Sequence, residues 1–398
     1  MASALSSKER MLAAIGGAPG APVPCSFMIF RALRARCADE FEFAKRQTEL
    51  GLDARVQVED FPVRFSPEVQ IKERDKDGML HRTYETPAGT LTATCKHTDD
   101  WPYRTSIPIF DDWFSPRAVK YPVTGPQDLP ALRYLLAPPS PEDLAEFREQ
   151  AAARRKFAHD RGLLFTGGWK SQRFIPSEDK LLIGDNGVTG TVIDTLMWLC
   201  GGTEPLLWAY DAPDFLRELI GMVEKWNRER LAIHLETGVE LVMRRAWYEG
   251  TEFWSPKLVR EFILPGLKKD VEMTHQAGAR FGYIITSGVT AIADLIVESG
   301  ADVMVGVDPG EGKGTTLAQV RDLFGGKIGL WGGVSGPLVV EDGTEADTRR
   351  AVEEAMQTLA PTGRFILCPV DNVRADSDKA WRNVEVFIDA WRSLGQGA

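Results

Sequence analysis

The sequence is poor in the residues that build metal and redox centres. Its 398 residues include five cysteines and five histidines, and neither set is clustered or contains a CxxC pair. A zinc centre needs three or four such ligands at close spacing, so these scattered residues do not predict one. An odd number of isolated cysteines is typical of a reducing compartment, and we therefore expect a cytoplasmic protein.

Basic residues and long apolar runs are also scarce. Lys and Arg total 47 against 57 Asp and Glu, which gives a formal net charge of −10. A nucleic-acid-binding protein needs a basic patch, so this balance argues against that class. No apolar run reaches about 18 residues, and the first 20 residues do not resemble a secretion signal. We therefore expect no membrane association.

The sequence does contain a regular alternation of strand and helix patterns, clearest in its second half. Strand-like runs begin near residues 240, 281, 302, 327 and 365, with helical patterns between them and a last amphipathic helix at 377–392. Five consecutive strand–helix units favour a parallel sheet. We predict a closed (β/α)8 TIM barrel rather than an open doubly wound sheet, because no dinucleotide-binding glycine motif follows any strand.

One stretch in the N-terminal half interrupts this alternation. After a βαβ opening, residues 64–125 contain polar loops, aromatic–proline pairs and a β-hairpin pattern from Tyr84 to Thr94 with turn residues in its middle. We interpret residues 64–125, approximately, as an insertion on the barrel. Residues 1–398 would then form a single domain.

Polar residues recur after successive predicted strands. Catalytic groups of parallel barrels lie at the carboxyl ends of the strands, in the loops that follow them. By this rule Asp60, Asp308 and Asp371 are candidate acids or bases, although each could instead cap a turn. The candidate substrate-binding residues at these ends are Tyr248, Glu249, Ser287 and Trp331.

Arginines follow the first predicted strand. An arginine holds a carboxylate through two parallel hydrogen bonds, which a lysine cannot do. Arg31 is nearest to the strand end and is the best candidate, and Arg34 is a second substrate contact. A charged helix face is the alternative explanation of this cluster.

Several short sequence motifs occur one after another along the chain. They are residues 49–53 and Asp60 in the first half and, in the second, residues 255–265, Gly288, residues 300–302, Asp308, residues 332–333 and 343–344, Asp376 and residues 383–384. In this order and spacing they resemble the uroporphyrinogen decarboxylase superfamily, over most of the chain except roughly 64–160. The resemblance implies one (β/α)8 barrel. It also implies one of three chemistries: decarboxylation of porphyrinogen acetates without a cofactor, zinc-dependent methyl transfer between a corrinoid and a thiol, or demethylation of small methyl donors onto a corrinoid protein.

The chain departs from the zinc-dependent branch of this superfamily at its metal ligands. That branch has His-x-Cys-Gly after one strand and Cys after the last, where this chain has residues 285–288 (Ile-Thr-Ser-Gly) and Asp371. The family's zinc site is therefore not expected. Zinc held by Glu249 or Glu252, Asp308 or Asp371, and Cys368 or His275 stays open.

The chain also departs from the decarboxylase branch. Arg31 and Arg34 could match its arginine-rich loop and Asp60 its aspartate, but Trp198 stands in place of its tyrosine and Asp371 in place of its histidine. A carboxylate at this last position should repel a polyanionic porphyrinogen. We expect Trp198, like Tyr248, to be a wall of the substrate site.

The leading hypothesis is therefore a methyltransferase that demethylates a small substrate, such as a methoxyaromatic compound, onto a corrinoid partner protein. The first alternative is a cofactor-free decarboxylase of a small aromatic or pyrrolic acid, with Arg31 on the carboxylate and Asp60 and Asp371 polarising the ring. The second is a non-catalytic barrel that binds a ligand. We expect no tightly bound cofactor or metal, and a homodimer stays open.

Overall fold

Seven parallel strands form the main sheet of the computed structural model, which describes residues 5–18, 20–58, 60–167, 192–310 and 315–395. Within these residues the strands lie in the order β1-β6-β7-β8-β9-β10-β11. Their bounds are β1 Arg55–Gln57, β6 Leu164–Gly167, β7 Leu241–Arg245, β8 Arg280–Ile284, β9 Val303–Val307, β10 Gly329–Ser335 and β11 Phe365–Val370. The five strands predicted in the second half are thus confirmed, and all are parallel.

The segment at residues 24–26 lies between the two end strands of this sheet. The Leu367 amide of β11 donates to the Pro24 carbonyl (2.9 Å), and the Asp53 amide before β1 donates to the Cys25 carbonyl (2.7 Å). The sequence predicts a strand over 23–30, but only Cys25 forms a bridge, to Leu367. Prolines 22 and 24 have no amide hydrogen to donate, which keeps this strand short.

A second sheet lies within residues 64–125. Its four antiparallel strands, in chain order, are β2 Gln70–Lys76, β3 Met79–Thr86, β4 Gly89–Lys96 and β5 Ala118–Lys120. The predicted hairpin is confirmed as β3 and β4, which turn at residues 87–88. This sheet has its own small core, formed by Leu80, Ala93, Cys95, Trp101, Tyr103, Ile107 and Phe114.

Fourteen α-helices connect or flank the strands in the described parts of the chain. They are α1 Ser7–Gly16, α2 Arg31–Arg34, α3 Glu40–Glu49, α4 Leu129–Leu135, α5 Pro141–Asp160, α6 Val192–Cys200, α7 Glu204–Asp211, α8 Pro213–Glu236, α9 Pro256–Leu258, α10 Leu264–Gln276, α11 Ala293–Glu298, α12 Leu317–Phe324, α13 Glu345–Leu359 and α14 Asp378–Gly395. None of the helices in the described ranges is both long and apolar enough to cross a bilayer.

Two helices show how local chemistry sets the helix ends and turns. The spacing of Thr344 and Asp347 predicts a capping box at the start of α13, and it is confirmed because each accepts the other's backbone amide at 3.1 Å. The helix expected at 256–277 is interrupted by a π-helical turn over Val259–Ile263. Pro265 has no amide hydrogen for an α-helical bond to Glu261, and the wider turn accommodates this gap.

Helix α1 covers the amino ends of the parallel strands. Its Met11, Ala14 and Ile15 are buried in one apolar cluster with Leu164 of β6 and Val303 of β9, among others. Because this end is closed by packed side chains, the accessible space lies at the carboxyl ends of the strands.

Candidate substrate site

A cavity of about 270 Å³ opens beside the carboxyl ends of β1 and β7. Its apolar walls are Phe27, Met28, Ile29, Phe30, Phe43 and Trp247, and its polar lining is Arg34, Gln47, Arg55, Gln57, Asp112 and Arg245. Among these described residues are three arginines and one aspartate, and the carboxylates of Glu40 and Asp194 lie behind two of the arginines. Ligand pockets are commonly about 300–1,000 Å³, and this small one suits a compound with a single ring.

Arg245, the last residue of β7, pairs with two carboxylates at the cavity. Its Nη2 donates to Asp112 Oδ2 at 2.7 Å, and its Nη1 lies 3.1 Å from Asp194 Oδ1. The guanidinium carbon lies 4.1 Å from the centroid of the Trp247 ring and 5.2 Å from that of Trp198. Aromatic faces stabilise a desolvated cation, which explains how an arginine only 2% exposed is accommodated here.

Asp112 comes from the segment between β4 and β5, not from the main sheet. Besides Arg245, it accepts hydrogen bonds from Trp198 Nε1 (2.9 Å) and the Tyr248 hydroxyl (3.2 Å) on Oδ1. Burial and the Asp112 charge raise the pKa of Tyr248, so its hydroxyl stays protonated and remains a donor. The predicted site residues Trp198 and Tyr248 therefore meet at one carboxylate.

Asp194, on α6, lies behind Arg245. Its side chain is fully buried, and neither oxygen accepts a hydrogen bond from the described residues. Burial raises the pKa of this carboxyl to about 7, against the opposing effect of Arg245. Asp194 can therefore hold a proton near neutral pH. Sequence reasoning missed it, although a lone carboxylate in the apolar helix Val192–Cys200 is a visible signal.

The opposite wall of the cavity is organised around a buried glutamate. Glu40 Oε2 accepts from Arg34 Nη1 (3.0 Å), and its Oε1 accepts from the Gln57 amide (3.3 Å). Arg55 donates to the Gln57 side chain (3.1 Å) and to the Met28 carbonyl (3.0 Å). Burial raises the pKa of Glu40, and the Arg34 charge opposes this rise. Arg34 lines the cavity, and its role as a substrate contact stays a prediction.

Arg31, the other predicted arginine, lies at the start of α2 with its side chain exposed. Its backbone amide donates to Asn372 Oδ1 at 3.3 Å, which links the segment after residues 24–26 to the loop after β11. Its side chain does not line the 270 Å³ cavity.

A second group of predicted residues lies at the ends of β8, β9 and β11, namely Ser287, Asp308 and Asp371. Asp308 Oδ1 accepts from the Gly310 amide (2.7 Å), and Ser287 and Asp308 line a space of only about 10 Å³. Burial, together with the Asp308 charge, raises the pKa of Asp371. Asp371 also has φ +62°, a conformation that glycine adopts freely and that aspartate and asparagine adopt more often than other residues do. The roles of these three residues stay predictions.

Three further predicted residues lie in buried contacts away from the cavity. Asp60 accepts from His234 Nε2 (2.9 Å) and Arg230 Nη2 (3.1 Å). Glu249 accepts from Arg244 Nη2 (2.5 Å) and the Tyr283 hydroxyl (2.6 Å). Trp331 is fully buried and donates to the Ser26 carbonyl (2.8 Å).

The residues considered for an alternative zinc site lie apart. His275 Nε2 bonds to Asp302 (2.7 Å), which precedes β9, whereas Asp308 follows that strand at its opposite end. Burial raises the pKa of the Cys368 thiol to about 12, and metals bind the thiolate. Within the described ranges, no three His, Cys, Asp or Glu side chains are grouped as metal ligands.

A solved structure shares this fold over nearly the whole chain, and two others match it less well. A methyltransferase from Methanosarcina mazei is 15% identical, with a TM-score of 0.59, covering 98% of this chain and 99% of that one. A B12-independent methionine synthase from a Shewanella species is 10% identical, with a TM-score of 0.41 over 63% of this chain and 66% of that one. A 3-keto-D-glucoside 4-epimerase from E. coli is 14% identical, with a TM-score of 0.35 over 63% and 85%.

The sequence itself matches a protein family, although no curated protein matches it. The family model described as uroporphyrinogen decarboxylase (URO-D) covers residues 187–394, more than half of the chain. This span contains α6 to α14 and the strands β7 to β11, including Arg245, Tyr248 and Asp194. The resemblance seen in the short motifs is thereby confirmed, and the chain belongs to the uroporphyrinogen decarboxylase family.

Proposed function

We propose that the protein transfers a methyl group from a small methoxyaromatic acid to a corrinoid carried by a partner protein. The observation that carries this proposal is the 270 Å³ cavity, which combines aromatic and aliphatic walls with three arginines. A single ring bearing a carboxylate satisfies both parts of this lining, because arginine pairs with carboxylates and the ring packs against apolar walls. A polyanionic tetrapyrrole is far larger than this space.

In this proposal the corrinoid lies outside the cavity, at its opening. A corrin macrocycle is wider than a cavity that suits one small ring, so it must approach the opening from a separate protein. When bound there, it supplies the nucleophile that accepts the methyl group. The fold shared with the Methanosarcina mazei methyltransferase over nearly the whole chain is consistent with this assignment.

The residues of this chain would bind the acid and stabilise the leaving oxygen. When the bond between the methyl carbon and the ether oxygen breaks, that oxygen keeps the electron pair and needs a hydrogen-bond donor or a proton. Arg55 and Gln57, on the wall of the cavity opposite Arg245, are donors that can stabilise this oxygen.

Decarboxylation of a small aromatic acid is the second candidate. The observation that favours it is the closeness of Asp194 to Arg245, at 3.1 Å. Loss of CO₂ leaves a carbanion that must be protonated, and an arginine-bound carboxylate would lie close to this proton-holding carboxyl. The two candidates therefore share a substrate class and differ in the bond that breaks.

The deciding experiment uses 4-methoxybenzoate with the purified protein and cobalamin reduced to Co(I). We expect 4-hydroxybenzoate, detected by chromatography, only when both protein and reduced cobalamin are present. Formation of methoxybenzene and CO₂ without cobalamin would support decarboxylation instead. If neither product forms from 2-, 3- or 4-methoxybenzoate, the proposed methyl transfer is refuted.

We also propose that the main sheet closes into the (β/α)8 barrel of the sequence prediction, with residues 64–125 inserted in one domain. The hydrogen bonds of residues 24–26 to both Leu367 and Asp53 support closure, because they join the two end strands through an eighth segment. A crystal structure in which residues 24–26 bond to only one of these neighbours would contradict it.

A further inference from the structure

We propose that Trp198, Tyr248 and Arg245 form the binding site for the carboxylate of the substrate, and that Asp112 is an internal competitor for this site. The inference rests on the proposed function in one respect, namely that the ligand is an acid. It adds where the acid binds and which residue limits its affinity.

The three donors form a built site. Trp198 Nε1, the Tyr248 hydroxyl and Arg245 Nη2 converge on one carboxylate at 2.7 to 3.2 Å. Trp198 and Arg245 are almost fully buried, whereas the Asp112 side chain is 42% exposed. The donors are therefore held by packing, and the carboxylate they bind is the accessible member of the group.

The position of this group connects it to the cavity. Asp112 and Arg245 both line the 270 Å³ space, next to the Trp247 ring that stacks on the guanidinium. An aromatic acid whose carboxylate replaced that of Asp112 would therefore place its ring among the apolar walls. The three donors need not move to accept it.

The carboxylates of Asp112 and of the substrate repel each other, so only one of them binds at Arg245 at a time. Arg245 already lies between Asp112 and Asp194, so a third carboxylate beside Asp112 would meet like charge in a poorly solvated place. The pKa of Asp194, raised by burial to about 7, lets that group become neutral and leaves Arg245 to balance a single carboxylate. Substrate binding would thus require Asp112 to leave its donors.

A purely structural role for Asp112 makes the opposite prediction. If its contacts only fasten the second sheet to the main one, removing its charge would destabilise the fold and would not improve the binding of acids. If it competes with the substrate, the same change removes the competitor, and acids bind more tightly.

The test measures benzoate binding by isothermal titration calorimetry on the full chain. We expect Asp112→Asn to bind benzoate about 10-fold more tightly than wild type, while binding of the uncharged analogue benzamide changes less than about 2-fold. The matched control is Asp100→Asn, because Asp100 also belongs to residues 64–125 and pairs with an arginine, Arg117, at 2.6 Å, but does not line the cavity. The control should bind benzoate as wild type does.

A second variant tests the donor set itself. In the Asp112→Asn background, Tyr248→Phe should lower the affinity for benzoate about 3-fold, because one of the three donors is lost. If Asp112→Asn does not fold, as judged by circular dichroism, Asp112→Ser replaces it in both comparisons. The inference is overturned if the folded Asp112 variant binds benzoate no more tightly than wild type. It is also overturned if neither protein binds benzoate.

The outcome is independent of the reaction catalysed. Tighter benzoate binding by Asp112→Asn, with no demethylation of methoxybenzoates by wild type, would retain the carboxylate site and refute the methyl transfer. Demethylation by wild type without tighter binding by the variant would retain the reaction and refute the role of Asp112.

Discussion

Asp194 should make the stability of the protein depend on pH. Its carboxyl is fully buried next to Arg245, and burial raises its pKa to about 7, against 3.8 for an ordinary aspartate. Between these two values the folded chain holds a proton that the unfolded chain has released. The free energy of unfolding therefore falls as the pH rises through this window, and the contribution of the neutral carboxyl is lost above pH 7.

The size of this effect follows from the same values. Each pH unit within the window changes the free energy of unfolding by about 1.4 kcal/mol, so the loss is about 2 kcal/mol from pH 5 to pH 7 and approaches about 3 kcal/mol by pH 8. Asn at position 194 keeps the shape of the side chain but does not titrate. We expect wild type to lose about 3 kcal/mol more than Asp194→Asn between pH 5 and pH 8.

The assay is guanidinium denaturation at pH 5, 6, 7 and 8, followed by circular dichroism. Other titrating groups affect both proteins alike, so only the difference between the two curves is interpreted. Asp322→Asn, a change at a largely exposed carboxylate, is the control and should give a curve parallel to wild type. Parallel curves for wild type and Asp194→Asn would refute the reasoning.

Three further predictions concern the cavity, a buried ion pair and the backbone after β11. Arg34→Met should weaken binding of 4-methoxybenzoate only about 2-fold in calorimetry, because Arg34 is paired with Glu40 and adds positive potential to the cavity without contacting the carboxylate; a loss of about 10-fold would place the carboxylate at Arg34 instead of Arg245. Glu249→Gln should lower the free energy of unfolding by about 3 kcal/mol, because it removes one partner of the buried Arg244; a loss under 1 kcal/mol would show that the pair is not needed. Asp371→Gly should stabilise the fold by up to about 1 kcal/mol in thermal denaturation, because glycine adopts φ +62° without strain. If Asp371 is also catalytic, Asp371→Gly loses activity. A lower melting temperature of this variant would mean that the contacts of the Asp371 carboxylate stabilise the fold more than the backbone strain destabilises it.

The sequence predicts the strands and helices of this protein well because their signal is local. Apolar periodicity and capping residues fall within a few positions of one another, as in the α13 capping box. The early strand at residues 23–30 is the exception, because prolines compete with its apolar pattern. Its strand character survives only where the backbone of residues 24–26 can still pair.

The candidate site was only partly predictable, because its contacts are distant in sequence. The rule that polar residues follow barrel strands selects Tyr248 and Glu249 correctly as residues at a strand end. It does not reveal that the Tyr248 hydroxyl donates to Asp112 at the cavity, whereas the Glu249 carboxylate accepts from Arg244. Asp112 meets partners 86 to 136 residues away, and no local pattern marks such a contact.

The small core of the second sheet gives the protein a way to change its ligand without rebuilding its scaffold. The residue next to Asp112 is Asp111, which is held by the Tyr103 hydroxyl (2.7 Å) and the Trp113 amide (2.8 Å), and Tyr103 packs in that core. Substitutions there would shift the acidic competitor relative to Arg245 while the parallel strands keep their packing. In an evolving lineage, the preference for one acid over another could therefore drift through changes in residues 70–120 alone.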